Sequence, residues 1–222
     1  MHREISGENP EKKPVQELPS INEIYQLDEE RITGKELRDT YLEQCGDRPE
    51  RSELSNPMVE EIVESTKEVF TPRVIESWPE MSIEERVDKL MRLVDVLNHW
   101  NGTSVRVEPF SSSSGVDGYY RPDENCVYIG RDLLLDPLRC GELIDTVVHE
   151  MEHAYQRAAM EDPEGYNIPQ ETAEHWSWNA EHYIPYEKNP IAYFRQPLEN
   201  DAWNMGQFVA QTILQIGEER IG

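Results

Sequence analysis

The chain has 222 residues and carries 45 acidic against 21 basic side chains, which gives a net charge of −24. Nucleic acid and anionic membranes repel such a surface, so neither is expected as a partner. The charge is compatible with solubility alone or with a basic partner. The chain has three cysteines, and no two of them have Cys-x-x-Cys spacing. This argues against a disulfide framework and favours reduced thiols.

Residues 1–55 are interpreted as an acidic, partly disordered N-terminal extension, and residues 56–222 as one folded domain. Residues 1–20 are polar and contain three prolines, a composition typical of disorder. No apolar run approaches the length of a membrane-spanning helix, and the first residues lack the pattern of a signal peptide. We therefore predict a cytoplasmic protein, or one exported by a leaderless route. The sequence does not indicate its oligomeric state.

Two helices are predicted in the first part of the domain. Asn56–Pro57 is typical of a helix start, with Asn as the cap and Pro as the first helical residue, and Thr71–Pro72 ends this helix. Ser82 and Glu85 have the spacing of a capping box for a second helix. Asn101–Gly102 closes that helix.

Strand patterns follow the second helix. Apolar residues alternate along Ser104–Phe110, and two further strand patterns, Tyr119–Arg121 and Cys126–Ile129, flank a four-residue turn. A small antiparallel sheet is therefore expected between the first helices and later ones. This order of elements predicts an α+β fold.

The most informative feature is an HExxH pentad at residues 149–153. Apolar residues recur at helical spacing around it, over Leu143–Ala158. Asp136–Pro137 predicts the start of this helix, because Pro is favoured at the first helical position. The pentad is therefore expected in the middle of a helix rather than in a loop.

On a helix, the two histidines of the pentad can bind one metal ion. Positions i and i+4 share one face, so His149 and His153 can hold Zn²⁺ through their ring nitrogens. Glu150 can then reach the zinc-bound water as a general base. The alternative is a surface helix with two solvated histidines. The flanking apolar residues disfavour that alternative, because they would bury this face.

A catalytic zinc ion takes three protein ligands, so one ligand must come from outside the pentad. The chain after His153 reads Ala-Tyr-Gln-Arg-Ala-Ala, without the Gly and His that metzincins have there. The favoured candidate is Glu199, in the first turn of a helix predicted over Pro197–Ile221. His175 and His182 are the alternatives.

Two acidic residues are candidates to orient the histidines, which usually have such outer partners in metal sites. Asp201 could orient His149 or His153, and Asp145, one turn before His149, is the second candidate. Each has a simpler interpretation. Glu199 and Asp201 could be first-turn acids that favour the helix dipole, and Asp145 could be a solvated helix position.

Two segments, Thr146–Gln156 and Pro197–Ala202, resemble the zincin metallopeptidases. The resemblance covers roughly residues 100–215 and implies a zincin-like fold, in which a small sheet packs on the active-site helix. It also implies that an edge strand of this sheet lines up an extended peptide. Cys126–Ile129 is in the position of that edge strand.

Within the zincins, the sequence Glu199-x-Asp201-Ala202 is similar to the gluzincin group. In gluzincins, a glutamate on a later helix is the third zinc ligand. The better-known gluzincins have an aspartate four residues beyond that glutamate, where this chain has Trp203. The layout is similar to short zincin domains of bacterial toxins, secreted effectors and mobile-element proteins.

These features predict a zinc-dependent metallopeptidase, of the effector or toxin type, that acts on a protein or peptide substrate. Glu150 would accept a proton as water attacks the carbonyl, and would deliver it to the leaving amine. Tyr193, Tyr183, His182 and His175 are candidates to donate a hydrogen bond to the oxyanion.

Two alternatives stay open at this point. The chain could be a non-catalytic interaction protein stabilised by zinc, with Cys126 and Cys140 as candidates for further ligands of a closed site. Glu150 would have no purpose in such a site, which favours an enzyme. The chain could also be a zinc hydrolase of a non-peptide amide, since the pentad does not distinguish between amides.

Overall fold

The computed structural model describes residues 56–111 and 116–218. The predicted extension at 1–55 and the last residues of the predicted C-terminal helix lie outside these ranges. In chain order, the helices and strands are α1 (Val59–Val69), α2 (Pro72–Ser77), a 3₁₀ turn (Trp78–Glu80), α3 (Ile83–Asn101), β1 (Arg106–Phe110), β2 (Gly118–Arg121), β3 (Cys126–Gly130), α4 (Arg131–Leu135), α5 (Cys140–Glu161), α6 (Gln170–Glu181), α7 (Pro190–Phe194) and α8 (Pro197–Glu218). The fold class is α+β, as predicted. Within the described ranges, no helix is long and apolar enough to cross a membrane.

The sheet is mixed, so the prediction of an antiparallel sheet is only half right. The strand order is β1-β3-β2. The hairpin of β2 and β3 is antiparallel, with Asn125 in the left-handed conformation of its turn at a φ of 47°. β1 pairs with β3 in parallel, and β3 therefore lies between β1 and β2 in the sheet. The alternation of apolar residues identifies the strands but does not show which strands lie next to each other in the sheet.

The strand order also corrects the position of the edge. β3, which contains Cys126–Ile129, was expected at the edge of the sheet but is its central strand. Val127 and Ile129 of β3 are buried in the core between the sheet and the helices. The edge strands are β1 and β2, and the backbone of β2 at Gly118 lies against α5.

Helix α3 begins and ends at its predicted capping residues, whereas α1 does not begin at its predicted cap. Ser82 and Glu85 form the predicted capping box of α3, and Gly102 ends that helix at a φ of 62°. α1 starts at Val59 rather than at Asn56–Pro57. The Asn56 side-chain oxygen accepts from the backbone of Met58, but its amide group donates to distant buried side chains, so the residue belongs to the core.

One helix boundary near the pentad differs from the prediction. The helix that carries the pentad starts at Cys140, because Asp136 ends the short helix α4 and accepts a hydrogen bond from the backbone of Leu138. α6 lies in the polar and aromatic stretch Arg157–Lys188, for which no helix was predicted. Trp176 and Ala173 of α6 are buried in an apolar cluster together with residues of other helices.

α5 lies at the centre of the fold. Fourteen of its 22 residues are buried, which means that it is covered on more than one face. The residues up to Ala154 pack into the main core with α1, α3, β3 and α8. From Tyr155 onward, α5 packs into a second cluster with Trp176 and Leu198. The pentad therefore spans the place where the two clusters meet.

Helices α5 and α8 approach to backbone contact at Gly206. A Cβ atom at this position would lie 2.5 Å from Asp145 Oδ1, 2.7 Å from the Asp145 carbonyl oxygen and 3.4 Å from His149 Cβ. Asp145 is only 7% exposed, so it is not the solvated helix position considered above. The absent side chain of Gly206 thus lets α8 reach the histidine-bearing turn of α5.

Replacing Gly206 by alanine is expected to lower the free energy of unfolding by about 1–3 kcal/mol, the usual range for overpacking. The added methyl group meets backbone, which cannot move without separating the two helices. Gly141→Ala is the matched control. Its Cβ would meet the end of the flexible Leu214 side chain at 2.6 Å, and alanine also has the higher helix propensity. Urea unfolding of both variants tests this, and a Gly206→Ala protein as stable as Gly141→Ala would contradict it.

Candidate metal centre

Three ligand-type side chains converge between α5 and α8. His149 and His153 lie one turn apart on α5, with their Nε2 atoms 3.2 Å from each other. Glu199, in the first turn of α8, places Oε2 at 3.5 Å from His149 Nε2 and Oε1 at 3.6 Å from His153 Nε2. Among the described residues, these form the one group of three or more His, Cys, Asp or Glu side chains that could hold a metal ion.

The separations of the three ligands fit a tetrahedral zinc ion. Zinc bonds to nitrogen or oxygen measure about 2.0–2.2 Å, so two ligand atoms at a tetrahedral angle lie roughly 3.3–3.6 Å apart. The Nε2–Nε2 and Nε2–Oε distances above are close to this range. In addition, Glu199 Oε2 is buried without a hydrogen-bond donor among the described residues. The arrangement is therefore compatible with a metal site.

The charges of the group favour a cation between its members. Burial would raise the pKa of Glu199, but the two histidines outweigh burial and hold this pKa well below its usual range. Burial would lower the pKa of His153, but the Glu199 carboxylate raises it to about 9. The buried carboxylate thus stays ionised and attracts positive charge, which a divalent cation supplies better than protons on the rings.

Glu150 lies beside this group, between the metal centre and the edge strand β2. Its Oε1 is 3.9 Å from His149 Nε2, and the nearby backbone of Tyr120 slightly lowers the pKa of its carboxyl group. A Cβ at Gly118 would lie 3.3 Å from Glu150 Cγ and 2.7 Å from Thr146 Cγ2, so glycine allows β2 to pass this close. Burial raises the pKa of Glu150, and the two histidines only partly offset this effect.

Two tyrosines and a tryptophan surround the centre. Tyr183 donates its hydroxyl to Glu199 Oε1 at 2.5 Å, and the Tyr193 hydroxyl lies near Glu199, whose charge acts on it. Burial, followed by the charge of Glu199, raises the pKa of both hydroxyls, which therefore remain protonated at neutral pH. The Trp203 ring packs edge-on against His149, with ring centroids 4.7 Å apart. Trp203 thus provides a wall of aromatic carbon beside His149.

The other candidate residues lie further from the centre. Asp201 Oδ2 accepts a hydrogen bond from the Trp176 indole at 2.8 Å and so ties α8 to α6. His182 is exposed and stacks on Trp178 at a centroid distance of 4.3 Å. His175 is exposed on α6.

The remaining candidates for metal ligands are the cysteines. Cys126 and Cys140 are both buried free thiols. Within the residues that the structure describes, neither belongs to the group formed by His149, His153 and Glu199. Neither Cys126 nor Cys140 is therefore near enough to complete a closed site with four protein ligands in this group.

Sequence reasoning did not find the outer partners of the histidines. His153 Nδ1 lies 3.0 Å from Gln156 Oε1, whereas His149 Nδ1 is buried without a hydrogen-bond partner in the part of the chain that the structure describes. The spacing of three residues between His153 and Gln156 on one helix was a usable signal. No comparable signal in the sequence points from Tyr183 to Glu199, because that contact is tertiary.

Glu152, the remaining acid of the pentad, faces away from the centre. It is buried, and its Oε2 accepts a hydrogen bond from Asn56 Nδ2, which also donates to Asn101 Oδ1. Burial raises its pKa to about 8, although the bond from Asn56 opposes this effect. Glu152 is therefore a neutral, buried acid at neutral pH and differs in state from Glu199.

This raised pKa predicts that stability falls with increasing pH. Between pH 4.5, the model-peptide value, and about 8 the folded chain holds a proton on Glu152 that the unfolded chain has released. The contribution is at most about 1.4 kcal/mol per pH unit. Glu152→Gln keeps an acceptor for Asn56 and should remove this slope. Urea unfolding of both metal-free proteins from pH 5 to 8 measures it, and equal slopes would contradict the assignment.

Comparison with known proteins adds no relative. No family model matches the chain, and no curated protein or solved structure matches it. The resemblance to zincins stays a prediction from the two sequence segments. The geometry of the centre and of the groups around it therefore provides the basis for the proposed function.

Proposed function

We propose that the chain is a zinc-dependent metallopeptidase. His149, His153 and Glu199 would hold the ion, which leaves one coordination position for substrate or water, as in catalytic rather than structural zinc sites. The observation that carries the proposal is the carboxylate of Glu150. It is buried 3.9 Å from a ring nitrogen of the ligand group, where a structural metal site has no use for it. A bound zinc ion would supply a Lewis acid and lower the pKa of a water molecule.

Glu150 acts as the general base in this proposal. Its raised pKa makes the carboxylate a better proton acceptor than an exposed glutamate. The carboxylate would accept the proton that the attacking water gives up. The same carboxyl group then delivers the proton to the leaving amine.

Tyr183 and Tyr193 are proposed as hydrogen-bond donors to the oxyanion. Both hydroxyls lie at Glu199, within the ligand group, and both stay protonated because their pKa values are raised. A neutral donor held in a partly buried site stabilises developing negative charge. His182 is less suited, because its ring is exposed and stacked on Trp178.

The position of β2 supports a peptide rather than another amide as substrate. β2 is an edge strand, and its residue Gly118 lies directly against Glu150. An extended peptide can add to such an edge through main-chain hydrogen bonds, which places its carbonyl groups in a row past the carboxylate. The short zincin domains of effectors, which the sequence resembles, suggest a protein substrate.

The test is cleavage of a peptide library by the full-length chain. Zinc-loaded protein is incubated with peptides from a digested proteome, and new termini are identified by mass spectrometry. We expect a consistent set of cleavage sites that disappears with a chelator, returns with zinc, and is absent for Glu150→Gln. A fully zinc-loaded protein that cleaves no peptide would overturn the peptidase proposal and favour a non-peptide amide or a non-catalytic role.

A further inference from the structure

Gln156 connects the two helices that carry the ligand group. Its side chain is completely buried, one turn beyond His153 on α5. Oε1 lies 3.0 Å from Nδ1 of His153, and Nε2 donates to the backbone carbonyl of Leu198 at 3.0 Å. Leu198 directly precedes Glu199, so one amide group touches a histidine of the centre and the backbone next to its carboxylate.

The Leu198 carbonyl determines which way the Gln156 amide faces. A carbonyl only accepts hydrogen bonds, so the NH₂ end of the amide must point to it and the oxygen end must point to His153. The oxygen can only accept, which places a proton on Nδ1 of His153. In the neutral ring, Nε2 then carries the lone pair, and this atom faces His149 and Glu199.

The two histidines are held by different means. His149 has a buried Nδ1 with no hydrogen-bond partner within residues 56–111 and 116–218, and its ring is in edge contact with Trp203. The orientation of that ring therefore depends on packing. His153 is held by a directional hydrogen bond, and so any loss of Gln156 should act mainly on His153.

We propose that Gln156 is a positioning residue of the metal centre: it selects the tautomer of His153 and fixes this ring relative to the α8 turn that carries Glu199. The proposal rests on the metal centre of the proposed function, but not on peptide hydrolysis. Outer partners of ligating histidines commonly change metal affinity 10–100-fold. The same range is expected here.

The experiment measures zinc affinity by competition with a chromophoric chelator. Gln156→Leu removes both hydrogen bonds at similar volume, and we expect it to bind zinc about 10–100-fold more weakly than the wild type. Gln156→Glu keeps an acceptor for Nδ1 of His153 and should restore most of the affinity. Gln207→Leu is the control, because it replaces another buried glutamine, on α8, by the same residue.

A spectroscopic measurement separates positioning from packing. In long-range ¹H–¹⁵N spectra, the Nδ1 proton of His153 should be hydrogen-bonded and slow to exchange in the wild type and in Gln207→Leu, but not in Gln156→Leu. Unchanged zinc affinity and an unchanged Nδ1 signal in Gln156→Leu would overturn the proposal. A wild type that binds zinc but cleaves nothing would refute the peptidase alone, and the affinity comparison would still decide the role of Gln156.

Discussion

Glutamine in place of Glu150 is expected to lower kcat/KM for a cleaved peptide by roughly 10²–10⁴-fold, the usual contribution of a general base. The amide has the shape of the carboxylate, but it cannot accept a proton from water. Zinc content should stay at the wild-type level, because Glu150 is not one of the three ligand-group residues. Kinetics and elemental analysis on the same preparation measure both quantities.

The control for this variant is Glu152→Gln. It makes the same change two residues away on the same helix, at a carboxyl group that faces Asn56 rather than the metal centre. Activity should therefore remain close to that of the wild type. If Glu150→Gln retained wild-type turnover, the assignment of the general base would be wrong.

Glu199→Ala is expected to weaken zinc binding by more than about 100-fold, beyond the effect typical of losing an outer partner. The variant removes the charged member of the group and leaves two imidazoles that do not enclose an ion. Glu199→Gln keeps the shape of the side chain and an acceptor for Tyr183, so it tests the charge without a cavity. Elemental analysis and chelator competition measure the loss in both variants.

Asp201→Asn is the matched control for Glu199. It removes one negative charge from the same turn of α8 and keeps an acceptor for the Trp176 indole. We expect unchanged zinc affinity, which would also show that the helix dipole does not account for the effect of Glu199. Unchanged zinc affinity in Glu199→Gln and Glu199→Ala would show that Glu199 is not a ligand.

The parts of the centre that depend on helix periodicity could be predicted from the sequence. The apolar spacing around the pentad put His149 and His153 on one face of a helix, and Glu199 stood out as an acid in the first turn of a later helix. In the structure, α5 carries both histidines and the first turn of α8 carries Glu199. The capping box of α3 was equally local and is present.

The parts that depend on tertiary neighbours could not be predicted in the same way. Strand alternation contains no information on which strand lies between the others, so β3 was wrongly expected at the edge. α6 was missed because its sequence is polar and aromatic, and only contacts around Trp176 bury one side of it. The contact of Tyr183 with Glu199 joins residues from two elements whose relative position no local pattern describes.

The backbone contact of α5 and α8 at Gly206 has a consequence for the choice of metal. Because helix packing sets the position of the carboxylate relative to the two ring nitrogens, the proposed centre would favour ions with short bonds to nitrogen and disfavour calcium, which takes six to eight oxygen ligands at about 2.3–2.6 Å. The same spacing would not separate zinc from cobalt or nickel, which bind similar donor sets. The ion that occupies such a centre in a cell would then depend on their availability, and cobalt would serve as an optical probe of the proposed site.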